Sequence, residues 1–141
     1  MKSDLKQAKK LLIEGEHTCV FINENETVTS DIRGIKPLLL RLEHSSLEGY
    51  CAADRVVGGA AAFLYILLKV DAVYAHILSK RAKEIFEYFG KEFYYDTLCE
   101  YVINRKGDGK CPMEDAVAEI NDPNEALEAI KAKLKALNNN T

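Results

Sequence analysis

The side chains best suited to chemistry are Asp54, Ser79, Lys80, Arg81, Asn104, Arg105, Cys111 and Glu114. Cys111 precedes Pro112, a residue that suits the first turn of a helix, and Glu114 follows three positions on. A thiol at a helix start loses its proton more readily and becomes a nucleophile. One reading is therefore a Cys111-dependent enzyme with Asp54 or Glu114 as acid–base partner; the other is a small buried hydrophobe before Pro112. Ser79-Lys80-Arg81 stands at a second helix start, where unpaired N–H groups and the helix dipole favour an anion. Two cations there are unfavourable unless something negative joins them, and a phosphate would suit. The alternative is that Lys80 and Arg81 are solvated surface charges. Asn104 and Arg105 could hold a phosphate or carboxylate, for which the arginine fork is suited. Asp54 reads as a helix N-cap, as a ligand contact, or as both.

Other chemistries find no footing. The three histidines, His17, His44 and His76, have no metal-ligand spacing. The four cysteines, Cys19, Cys51, Cys99 and Cys111, form no C-x-x-C pair and read as reduced thiols of a cytoplasmic protein. Gly107-Asp108-Gly109-Lys110 is too short for a phosphate-binding P-loop. With 19 basic and 22 acidic residues the net charge is -3, so the basic excess behind nonspecific nucleic-acid binding is missing. The longest apolar run, Val56 to Leu68, falls short of the roughly 20 residues a membrane span needs. No apolar signal segment opens the sequence.

The elements that must position these groups follow from periodicity. At 141 residues and 48% hydrophobic, the chain is expected to form one domain over 1–141 with a real core. Ser3 is expected to cap a helix over 4–14 that stops at Gly15. Residues 18–22 and 27–30 read as a hairpin around the turn 23–26. Pro37 opens a leucine-rich helix over 38–42. Asp54 is expected to cap a central helix over 56–68, with Gly58 and Gly59 inside it where another backbone packs closely. A buried strand over 72–78 leads into a helix over 80–89 capped by Ser79, and a further strand lies at 93–95. Residues 96–103 are ambiguous. Helices over 113–120 and 124–137 follow, separated by Asp122 and Pro123.

Three stretches carry a resemblance: Ala53-Asp54-Arg55-Val56-Val57-Gly58-Gly59-Ala60-Ala61, Ile103-Asn104-Arg105, and Cys111-Pro112-Met113-Glu114-Asp115-Ala116-Val117. Together they resemble a family of bacterial and archaeal proteins classed only as a domain of unknown function and placed with the cytidine-deaminase-like folds. The resemblance implies a three-layer α/β domain with a mixed sheet of four to five strands and helices on both faces. Zinc deaminases require His-x-Glu or Cys-x-Glu at one helix start and Pro-Cys-x-x-Cys at the next. Here Cys51 in the ligand position leaves Ala53 where the Glu must be, and Asp54 as the acid leaves Ala52 as the ligand. Ser79-Lys80-Arg81-Ala82 supplies no thiolate. A catalytic zinc needs three protein ligands, so no metal or other cofactor is expected. The leading expectation is a degenerate pocket that binds a nucleotide-like or phosphorylated small molecule through Asp54, Ser79, Lys80, Arg81, Asn104, Arg105 and Cys111. The alternatives are the Cys111-dependent enzyme and a homo-oligomeric interaction module without catalysis, built on the aromatic segment and the last helix. Neither nucleic acid nor membrane is an expected partner.

Overall fold

The computed structural model describes residues 1–104 and 106–139. Helix α1 (Ser3–Glu14) turns Leu5, Ala8 and Leu12 to one side and ends at Gly15. Ser3 is its first residue rather than its cap; Lys2 holds the cap position and makes no side-chain bond. The expected hairpin forms from β1 (Cys19–Ile22) and β2 (Thr27–Ser30). Asn23 closes its turn, its Oδ1 accepting from the N–H groups of Asn25 and Glu26 at 2.8 Å each. Helix α2 (Lys36–His44) carries Pro37 in its first turn.

The largest departure from expectation lies next. Residues Cys51–Val57 form strand β3, and α3 runs only over Gly59–Leu68. Asp54 is thus no helix cap. It sits in mid-strand, opposite Cys19 on β1 and Ala75 on β4. Cys51 to Ala53 of β3 are buried on both faces and show no polar alternation, and Val56 and Val57 lead directly into the junction with α3. Gly58 and Gly59 sit at the strand–helix junction, where glycine carries no helix-interior penalty.

Strand β4 (Ala72–Ser79) follows, and Ser79 caps α4 (Lys80–Tyr88) as expected, its Oγ accepting from the Ala82 N–H at 3.1 Å. Strand β5 covers Glu92–Cys99, longer than 93–95 and taking in half of the ambiguous segment. Helix α5 is a single short turn, Pro112–Ala116, against an expected 113–120. Helix α6 (Pro123–Asn139) starts on Pro123. Asp122 and Pro123 begin this helix rather than merely breaking the previous one: the Asp122 carboxylate accepts from the Glu125 N–H at 2.9 Å, and proline is at home in a first turn.

The five-stranded sheet has the order β2-β1-β3-β4-β5. β1 pairs antiparallel with β2 and β3, while β3, β4 and β5 are parallel. Helix α1 covers one face, with Leu5, Ala8 and Leu12 packed against Val20, Ala53 and Tyr74. The other face carries the larger core, built around α3, in which Phe63, Leu64 and Leu68 are fully buried. Helices α2, α4, α5 and α6 all pack on α3. No described helix is long and apolar enough to cross a membrane.

Candidate functional site

The three parallel strands end together, at Val57, Ser79 and Cys99. Helices α3 and α4 start from two of these ends, so two positive dipole ends and their unpaired N–H groups meet there. That convergence is the one expected from the sequence. It is filled by the chain itself: Glu114, on α5, reaches back 55 positions, and its Oε1 accepts from the Gly59 N–H at 3.0 Å. Glu114 and Ser79 are both buried. Burial pushes the Glu114 carboxyl above its usual range, against the Gly59 N–H, the Ser79 hydroxyl, Lys110 and Arg81, which favour its ionised form. A phosphate was expected at the Ser79-Lys80-Arg81 start; the carboxylate sits on the neighbouring α3 start, with the Ser79 hydroxyl beside it.

Gly58 makes room for it, and Gly59 makes room for the side chains packed beside it. A methyl group on Gly58 would stand 2.0 Å from Glu114 Oε1 and 2.8 Å from Val102 Cγ2. One on Gly59 would stand 3.0 Å from Arg81 Cγ and 3.1 Å from Val117 Cγ2. The close approach expected at these glycines is real, but side chains make it, not another backbone.

The remaining candidates divide. Arg81 lies along α4, its Nη2 donating to the Ile120 carbonyl and its guanidinium 5.7 Å from the Phe63 ring centroid. Its Nε is buried without a hydrogen-bond partner. Lys80 is exposed and paired with Glu100 at 2.6 Å, the solvated reading of that residue. Cys111 is half-buried against the larger core, its N–H donating to the Val102 carbonyl at 2.8 Å. The histidines lie elsewhere: His17 and His76 pair with Asp31 and Asp96, and His44 stands beside Glu43. Asn104 spends its amide within its own turn, donating to Asp108 Oδ1 at 2.8 Å. Arg105 lies outside the described residues.

Asp54 does not join the group. Its register partner Ala75 is four residues before Ser79, about 13 Å along β4 at the strand rise. Its carboxylate instead accepts from the Tyr65 hydroxyl beneath α3 at 2.7 Å. Burial holds Asp54 up to about 7, against the pull of that hydroxyl and of the Val56 and Arg55 N–H groups. Cys19 faces it across the β1–β3 ladder, its thiol pushed up by burial and then by the Asp54 charge. Tyr65 was missed in the sequence. The available signal was a hydroxyl in an otherwise apolar helix, which must find a partner when buried.

The deaminase comparison also moves. The true first helix start is Gly58-Gly59-Ala60-Ala61, not Cys51 to Asp54, and like Ser79-Lys80-Arg81-Ala82 it offers neither a thiolate nor an imidazole. Among the described residues no group of three or more His, Cys, Asp or Glu is placed to hold a metal ion.

The fold is that of a mixed α/β domain with a five-stranded sheet. The chain belongs to the family described as a domain of unknown function (DUF1893), which it matches over residues 7–134. It is similar to a solved DUF1893 family protein, TM1506 from Thermotoga maritima, at 28% identity and a TM-score of 0.87, covering 94% of this chain and 91% of that one. No curated protein matches it.

Two predictions follow from this geometry. The Gly58 backbone (φ -98°, ψ -174°) is open to any residue, so Gly58→Ala should cost stability only through the collision with Glu114 and Val102, about 1–3 kcal/mol. In a denaturation double-mutant cycle, Gly58→Ala should cost less in a Glu114→Ala background; strictly additive effects would contradict the contact. Asp54 titrates near 7 when folded against an ordinary 3.8, so the folded state binds more protons between those values. Its contribution to stability is full at the acid end of that window and is lost as pH rises through it. The Tm of Asp54→Asn should therefore gain on wild type from pH 4 to pH 8; a constant difference would contradict this.

Proposed function

We propose that this chain is a noncatalytic interaction module that self-associates along β5, on a cytidine-deaminase-like scaffold whose usual reactive end is closed. The observation that carries this reading is the edge strand itself. β5 is eight residues long and pairs with β4 on one side; α4 lies on one face and α1 reaches the other, with Lys9 3.8 Å from Asp96 and Tyr94 packed against the α1 cluster. Natural edges are guarded by lysine, proline or bulges. Residues 92–99 contain no Lys, Arg or Pro. Tyr95 and Leu98 are exposed on it, with Tyr88, Phe89, Tyr101 and Ile103 close by in sequence and exposed as well. A second copy related by a twofold axis would pair antiparallel and satisfy both open rows of N–H and C=O groups.

A second reading has its own observation. The Gly59 N–H donates to the Glu114 carboxyl, which supports reading the α3 start as a place for an anionic group. A nucleotide-like or phosphorylated molecule would bind there by displacing Glu114, with Ser79 and Arg81 beside it. The deaminase likeness rests on the paired helix starts at the carboxyl end of parallel strands.

Sedimentation velocity separates the two. Self-association predicts a dimer that Tyr95→Lys with Leu98→Lys converts to a folded monomer, checked by circular dichroism; a wild-type monomer at every concentration would contradict it. The second reading predicts that phosphate or AMP raises the Tm of Glu114→Ala more than that of wild type. No shift in either protein would remove it.

A further inference from the structure

Helices α2 and α6 both pack on α3 and leave a cleft of about 640 Å³ between them. Its walls are Leu39 and Leu42 from α2 and Leu127 and Leu134 from α6. Each of these leucines is only partly buried, so folding leaves apolar surface facing the cleft. Lys131 and Lys135 stand on the α6 lip, one helical turn apart. Neither makes an ion pair with a described residue, and Glu43 stands among the α2 residues of the cleft beside His44. Neither lysine lies in the last turn of α6, so the helix dipole does not account for them. Glu128 lies one turn before Lys131 on α6, yet no ion pair joins them, and both lysines border the apolar cleft.

We propose that this cleft docks an amphipathic helix of a partner protein, apolar on the face it buries and acidic along the edge that meets α6. The chemistry is that of helix-in-groove recognition, in which apolar anchors recur at i, i+3 or i+4, and i+7. Leu127 and Leu134 are themselves seven residues apart, about 10 Å along α6, which matches two turns of a docked helix. Lys131 and Lys135 then ask for one acidic residue per turn on that edge. The surface is independent of both β5 and Glu114, so it stands or falls apart from the readings above.

The test uses the full chain and two fluorescent designed helical peptides with leucines at those anchor spacings. One carries glutamates along the flanking edge and the other lysines. Fluorescence polarisation should show the acidic peptide binding about tenfold more tightly, the size that two rim ion pairs supply. Lys131→Glu with Lys135→Glu should reverse that preference, and binding of the lysine peptide would itself show that the variant is folded. Lys131→Gln with Lys135→Gln should abolish the preference while keeping residual binding. Equal binding of the two peptides by wild type, no binding of either, or an unchanged preference in the variants would overturn the proposal. Binding of oleate in place of the peptides would also overturn it, by assigning the cleft to a small amphiphile.

Discussion

The hydrogen bond from the Gly59 N–H to the buried Glu114 carboxylate joins two parts of the chain that local structure alone would not bring together. Helix α5 is five residues long, too short to be stable by itself. It is held because Met113 and Val117 enter the larger core while Glu114 satisfies an orphan donor at the start of α3. A hydrogen bond to a charged group contributes about 1.5–3 kcal/mol, and the α3 dipole adds to it. The opposing cost is desolvation, which is why the carboxyl is pushed up even with four favourable neighbours. Gly58 is the steric condition for the contact, since a side chain there would meet the Glu114 carboxylate, while one at Gly59 would meet Arg81 and Val117 beside it.

Once that carboxylate is seated, the start of α3 and the end of β4 are closed by the chain itself. Ser79 is committed to capping α4, and Arg81 turns along its helix to the carbonyl of Ile120. Chemistry-bearing residues that look gathered in the sequence are thereby dispersed: Asp54 goes beneath α3 and Asn104 into its own turn. What the fold leaves open lies on its outside, along β5 and between α2 and α6.

Much of the frame was legible because its signals are local. The hairpin is marked by a turn that Asn23 closes with its own side chain, and α4 by a serine cap and a stripe containing Ala82, Ile85 and Phe86. Strand β3 was not legible. Its first residues, covered on both faces, show no alternation, and Val56 and Val57 run directly into the apolar helix that follows. With the boundary blurred, Asp54 imitated a cap. The site was harder still. The sequence marks Glu114, Gly59 and Ser79 as notable, but their meeting is a tertiary event that no periodicity records. The cleft beside α6 is invisible for the same reason, since it depends on how two helices sit on a third.

Amide hydrogen exchange at Gly59, followed by NMR in wild type and in Glu114→Gln and Glu114→Ala, tests the central contact most directly. The account predicts a slowly exchanging Gly59 amide in wild type, faster exchange in Glu114→Ala, and an intermediate rate in Glu114→Gln, whose neutral oxygen still accepts. A Gly59 amide that exchanges as fast in wild type as in Glu114→Ala would mean that the carboxylate does not close this end of the sheet.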